Sequence, residues 1–294
     1  MLLALKLKAL AAAAAIAAPL GAAILPAVPG WQGGTHEPMP EFVELAPAAF
    51  RYRVAGDFTR GGRPVPAPAV SARLPRPLAI MKHQVTTAAY QRCVAAGACA
   101  ATGGEGGGAD RPVVDVSWWD ASTYAAWLTR MTGTKFRLPS DEEWVFAAGS
   151  RFRDDALSAI DAADPGRRAL ARYERETAED EVFGEPPPVG SHGANENGLV
   201  DVAGSVWEWT DSCFVRTALA ADGAAAGRTA NCGVRVVEGR HRTYMTDFIR
   251  DARAGGCAAG RPPSHLGFRL VRENAAPPGT AWLTALARRV AGGA

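Results

Sequence analysis

The chain has no excess of charge of either sign. Its 32 Lys and Arg stand against 30 Asp and Glu, a formal +2 over 294 residues. A dedicated nucleic-acid binder would carry a basic stripe, so that class is not expected. The composition of a disordered chain is also missing, because 48% of residues are hydrophobic and 21% charged. Long hydrophobic runs are absent beyond the N-terminus, which leaves no other stretch able to span a membrane. The glycine-rich stretch at 103–108 lacks the Lys-Ser/Thr ending of a P-loop and the G-x-G-x-x-G order of a dinucleotide site, and reads as a surface loop. The five histidines, His36, His83, His192, His241 and His265, are scattered and form no H-x-x-x-H pattern. No Ser-His-Asp order stands out. Regular alternation of strands and helices is missing too, which argues against a doubly wound sheet.

What the chain does contain begins with a leader. Lys6 and Lys8 precede an apolar run from Ala9 to Ala18, followed by Pro19 and small residues. This is the order of a secretory signal peptide, expected over residues 1–27, and it predicts a periplasmic or secreted protein. A membrane anchor is the alternative, but the run is short and Pro19 interrupts it. Export permits disulfides, and the cysteines number five: Cys93, Cys99, Cys213, Cys232 and Cys257. Cys93 and Cys99 flank Gly97, so a small stapled loop is expected there. Cys213 and Cys232 flank an Ala/Gly-rich segment that a second bridge could close, although sequence alone does not fix the connectivity. Eight Trp against five Tyr suggest a layered core or an aromatic-lined pocket.

Local signals predict short elements. Residues 28–49 read as a lead-in, and 50–78 as strands and turns punctuated by Gly and Pro. A strand is expected at 78–85, then a helix near Ala88 capped by Thr86 or Thr87. Val113, Val114 and Val116 suggest a further strand. Ser117 with Asp120, and Ser140 with Glu143, have capping-box spacing, and Gly133 suits a left-handed helix end. Between them KFRL reads as a strand piece. Residues 150–185 read as a charged surface excursion. Strands are expected at 234–238 and 265–271, and a short amphipathic helix in the tail at 281–291. Trp207 and Trp209 are read as pointing to opposite faces of a strand, one of them into the core. Arg137 and Arg269 are expected to be buried and paired, since an unpaired buried charge costs several kcal/mol.

Four segments together carry a resemblance: IMKHQVTTAAYQRCV; RPVVDVSWWDASTYAAWLTRMTGTKFRLPSDEEWVFAAGS; PVGSHGANENGLVDVAGSVWEWTDSCF; and VRVVEGR with SHLGFRLVR. In order and spacing they are similar to the formylglycine-generating enzyme family, also called sulfatase-modifying factors. The resemblance covers residues 50–272 and leaves 273–294 as a tail. It implies an α+β, C-type-lectin-like fold, irregular, with a small twisted antiparallel sheet and short helices. NCGVRVVEGRHR and IRDARAGGCAAG further resemble exported members associated with copper nitrite reductase.

The family's oxidases convert a cysteine of a client sulfatase to formylglycine, and bind copper(I) through two cysteines spaced C-x4-C. The resemblance places Thr246 and Asp251 at those positions. A hydroxyl and a carboxylate are poor partners for soft copper(I). Cys257 is a single nearby thiol and the only candidate for a catalytic residue, so copper is not expected. A branch of the fold that uses iron held by histidines fits no better, given the scattered histidines. Calcium is expected from the resemblance, at Asp201, Gly204, Val206 and Glu208, because hard oxygens in a tight turn suit it. The alternative is that Asp201 caps the turn and Glu208 pairs with an arginine. The function implied is an exported maturation or binding factor for another exported protein, a sulfatase or a copper nitrite reductase-type metalloenzyme. An active formylglycine-generating oxidoreductase with a rearranged site, and a lectin-like binding module, are the rival readings.

Overall fold

The computed structural model describes residues 37–102, 108–153, 167, 185–204, 206–251 and 265–273. The expected signal peptide, the tail helix, Cys257 and most of the 150–185 excursion lie outside the described residues. In chain order the elements are β1 (Phe42–Leu45), β2 (Ala49–Arg53), β3 (Asp57–Arg60), β4 (Arg63–Val65), β5 (Ala69–Arg73), β6 (Leu78–Met81), α1 (Thr87–Ala95), α2 (Trp118–Thr132), β7 (Phe136–Arg137), α3 (Asp141–Ala148), β8 (Trp207–Leu219), β9 (Ala225–Glu238), β10 (Thr243–Thr246), β11 (Leu266–Gly267) and β12 (Val271–Arg272). Among the described residues no helix is long and apolar enough to cross a membrane.

The helices start and stop where local chemistry directs. Thr86 caps α1 by accepting from the backbone N–H of Ala89. Ser117 and Asp120 form a reciprocal capping box on α2, and Ser140 and Glu143 form another on α3. These side chains satisfy backbone donors that a helix N-terminus leaves open. Gly133 ends α2 with φ at 71°, a conformation that costs glycine little.

Three sheets assemble around these helices. One has the order β1-β6-β12-β7, a second β10-β9-β8-β3-β4 with β11 beside β8, and β2 pairs with β5 alone. The sheets are not wholly antiparallel as expected, because β3 and β11 both run parallel to β8. The lead-in is part of the fold, since β1 pairs with β6 from Phe42 opposite Met81 to Leu45 opposite Leu78. No strand forms at 113–116, where Asp115 takes φ 57° and breaks the extended run. The segment expected as one final strand divides into β11 and β12, which belong to different sheets. Arg269 therefore sits at the crossover between them.

β8 and β9 form a hairpin much longer than the predicted strand at 234–238, running from Glu208 opposite Glu238 out to Leu219 opposite Ala225. Both expected disulfides form, Cys93–Cys99 and Cys213–Cys232, and the second ties the two strands of this hairpin.

Trp207 and Trp209 share a face rather than opposing one another, since side chains two apart on a strand point the same way. Both are buried in one cluster with Tyr90, Tyr124, Trp127 and Phe268. A second cluster gathers Trp144, Ile80, Leu199 and Val271. Gly239 permits the approach of Trp207, because a Cβ there would lie 2.5 Å from the indole Cγ. Glu208, between the two tryptophans, faces the opposite way.

Candidate functional site

Asp201, Gly204, Val206 and Glu208, the residues assigned to calcium by resemblance, lie on one turn entering β8. The turn is tight, with Asp201 and Ala203 at φ 58° and 56°. The Asp201 carboxylate accepts from the backbone N–H groups of Gly190 and His192, and so ties this turn to the preceding one at 188–193. Glu208 is fully buried, and so is Arg269.

These two form a closed pair. Glu208 Oε2 accepts from Arg269 Nε at 2.6 Å, and Oε1 from Arg269 Nη2 at 2.7 Å. Trp144 Nε1 also donates to Oε2 at 2.8 Å, and Gln84 Nε2 to Oε1 at 2.9 Å. The remaining guanidinium hydrogens go to the carbonyls of Met81, Lys82 and Val200. Every donor of this arginine is satisfied, as burial of a charge requires.

That arrangement does not fit calcium. The guanidinium occupies the cation's side of the carboxylate, and the Gly204 carbonyl accepts from Arg240 Nε. Gln84 Oε1 is a buried acceptor without a partner at this turn, but calcium takes six to eight oxygens. A calcium ion would have to displace at least one of the four donors that fill the Glu208 carboxylate. We therefore expect a chelator and added calcium to leave the melting temperature unchanged. Stabilisation by several degrees on adding calcium would show that the ion wins the carboxylate.

The positions aligned with the copper cysteines lie on the other side of the long hairpin. Thr246 ends β10 opposite Val234, and Asp251 follows a turn closed by a bond from Ile249 N–H to the Thr246 carbonyl. That turn is pinned to α2. Trp118 N–H donates to the Asp247 carbonyl, and Arg250 binds Asp120 through two bonds of 2.8 and 2.7 Å. The donors at 246 and 251 are a hydroxyl and a carboxylate, held on an ordered backbone. Among the described residues no group of three His, Cys, Asp or Glu could hold a metal ion. Around this turn Trp119 and Phe248 are 56% and 67% exposed. Arg235 stacks over Trp118, its guanidinium carbon 3.8 Å from the ring centroid. The sequence reading did not single out Trp119 and Phe248. The adjacent pair Trp118-Trp119 was the available signal, since neighbours on a helix cannot both face its core.

A second acidic cluster was also missed. Asp141, at the start of α3, and Glu238, at the end of β9, are both buried. Arg242 contacts both, with Nε 2.6 Å from Glu238 Oε1 and Nη2 3.1 Å from Asp141 Oδ1. Tyr52 O–H donates to Asp141 Oδ2. One cation serves two carboxyls, and burial, with Asp141 beside it, pushes the Glu238 carboxyl well above the ordinary carboxylate range. Arg137 is less enclosed than expected, one-third exposed, and forms a fork with Glu143 plus a contact to Glu273. His241 packs edge-on against Trp207, and burial lowers the His83 pKa.

Comparison with known proteins agrees with this architecture. Residues 32–274 match the sulfatase-modifying factor enzyme 1-like domain. The inactive C-alpha-formylglycine-generating enzyme 2 of Bos taurus is 31% identical over 176 residues, covering 57% of this chain and 52% of that protein. The formylglycine-generating enzyme of Streptomyces coelicolor is 30% identical over 174 residues, 56% of this chain and 53% of that one. The chain thus spans about half the length of the curated relatives it matches. The structure of PvdO from Pseudomonas aeruginosa is similar with a TM-score of 0.50 at 23% identity, covering 80% of this chain and 95% of that one, and shows the shared fold. A match over most of the chain, on a fold with the same arrangement, makes this protein a member of the formylglycine-generating enzyme family of sulfatase-modifying factors.

Proposed function

We propose that this protein is an exported binding or maturation factor that does not carry out the copper oxidase chemistry of its family. The observation that carries this reading is the pair Thr246 and Asp251, at the positions where the oxidases present two thiolates. Copper(I) needs soft donors facing each other, and neither residue supplies one. Among the described residues the capping boxes and the buried Glu208–Arg269 pair are in place, so a shaped surface stands around these positions. A relative named as an inactive formylglycine-generating enzyme supports the same direction. Export through a leader at residues 1–27 accords with two disulfides, which persist in oxidising compartments. The partner class proposed is another exported protein, a sulfatase or a metalloenzyme of the copper nitrite reductase type.

Copper(I) affinity, measured in competition with a chelator, tests the reading. The expected result is binding no tighter than that of a Cys257→Ser variant. Tight binding that is lost in Cys257→Ser would support the rival oxidase with a rearranged site. A lectin-like role would instead show as retention on an immobilised glycan, competed by free sugar.

A further inference from the structure

We propose that the outer part of the long hairpin, together with β3 and β4, is a docking surface for an acidic segment of a partner protein. Over β3 and β4, residues 57–65, and the outer hairpin, residues 213–233, the sequence places four arginines and two aspartates, with no glutamate or lysine. Both aspartates are engaged away from most of this charge. Asp57 faces Arg216 at 3.9 Å, and Asp222 accepts from Ala224 N–H inside its own turn.

The ladder sorts the arginines by face. Arg60 lies directly opposite Arg63 across β3 and β4. Phe58, two residues before Arg60, pairs with Thr217, which in turn pairs with Arg228. Paired and alternate residues share a face, so Arg60, Arg63 and Arg228 project from the same side of the sheet. All three are exposed. None of the three side chains has an ion pair or hydrogen bond among the described residues. Like charges directly opposite one another destabilise a strand pair, so hairpin stability does not explain Arg60 and Arg63. The Cys213–Cys232 bridge holds the strands that carry the face.

The chemistry of the face favours one class of partner. A guanidinium offers a planar fork that matches a carboxylate. Membrane-surface binders pair their cations with apolar side chains that enter the lipid. Among the described residues the exposed large hydrophobics are Met39, Val70, Trp119 and Phe248, and none lies on β3, β4, β8 or β9. Neighbouring strands are about 5 Å apart and two residues span about 7 Å, so Arg228 on β9 and Arg60 on β3 stand about 12 Å apart, within reach of carboxylates along one extended acidic segment. The inference deepens the proposed function by naming the chemistry of the partner. It stands apart from the copper question, because an active oxidase would also need to dock its client.

The test is binding of a fluorescein-labelled oligoglutamate peptide, followed by anisotropy over a range of salt. The wild-type protein is expected to bind at low salt and release the peptide as salt rises. The triple variant R60E/R63E/R228E should bind roughly tenfold or more weakly at unchanged melting temperature. R60Q/R63Q/R228Q keeps the test open if the charge reversal perturbs folding. R130E, an exposed charge on α2, should bind as wild type. Equal binding by wild type and triple variant, or no binding by wild type, overturns the proposal. Binding to phosphatidylglycerol vesicles but not to the peptide, with the same dependence on these arginines, overturns it in favour of a membrane surface.

Discussion

Arg269→Met is expected to destabilise the protein by about 3–5 kcal/mol, the range for removing one partner of a buried ion pair. The reason is the isolation of Glu208. Its side chain has no exposure, and Arg269 supplies the only formal charge among its four bonds. Without the guanidinium, a carboxylate would remain in the core with only the neutral donors of Trp144 and Gln84. The carbonyls of Met81, Lys82 and Val200 would lose their partner as well. These carbonyls tie β6 and the turn before β8 to the crossover between β11 and β12, so the loss reaches both sheets. In a protein of this size the melting temperature should fall by on the order of 10 °C. The double variant Glu208→Gln with Arg269→Met should be less damaged than the sum of the single variants, because it leaves no buried charge. A loss below about 1 kcal/mol for Arg269→Met would show that water reaches Glu208.

Glu238→Gln is expected to change how stability depends on pH. Burial raises the pKa of Glu238, with Asp141 adding to the shift and Arg242 opposing it. The groups facing the pair are Asp141 from α3, Tyr52 from β2, Tyr244 from β10 and Arg242 from the β9–β10 connection. A carboxyl whose pKa is higher in the folded state keeps its proton where the unfolded chain has lost it. Its contribution is therefore complete below the unfolded value of 4.5 and is lost as pH rises through the folded value. Each unit of separation between the two values is worth about 1.4 kcal/mol. The Glu238 contribution to wild-type stability should therefore fall from acidic toward alkaline pH, and Glu238→Gln, which cannot ionise, should gain stability relative to wild type toward the alkaline end. Urea unfolding at a series of pH values measures this. Parallel profiles would mean that Glu238 is ionised throughout and fully compensated by Arg242.

The elements that could be read from sequence are those determined within a few residues. Ser117 with Asp120, Ser140 with Glu143, Thr86 and Gly133 all act where spacing placed them, because a cap is a local bond. The bridges Cys93–Cys99 and Cys213–Cys232 close across a turn and a hairpin, which also keeps them near in sequence. Pairing over distance was less legible. Glu208 and Arg269 stand 61 residues apart; the sequence offered an arginine for Glu208 as the alternative to calcium and a partner for Arg269, but no local pattern joined the two. Asp141 read as an ordinary acid in the first turn of α3. Its burial and its link to Arg242 follow from the packing of α3 against the hairpin, which no local pattern records. The strand expected at 113–116 failed on the left-handed conformation of Asp115. The extent of β9 was missed because an Ala/Gly-rich run carries no strand periodicity. Its pairing comes from β8 beside it and from the bridge midway along the hairpin.

The most direct test of the account is whether the protein makes formylglycine. The full chain, supplied with copper(I), oxygen and a thiol reductant, would be incubated with a cysteine-containing sulfatase peptide, and the product read by mass spectrometry with an aldehyde-specific label. We expect the peptide to keep its cysteine sulfur, because the side chains at 246 and 251 cannot form a two-thiolate copper site. Catalytic conversion of that cysteine to an aldehyde, abolished by Cys257→Ser, would contradict the account and establish an oxidase with a rearranged metal site.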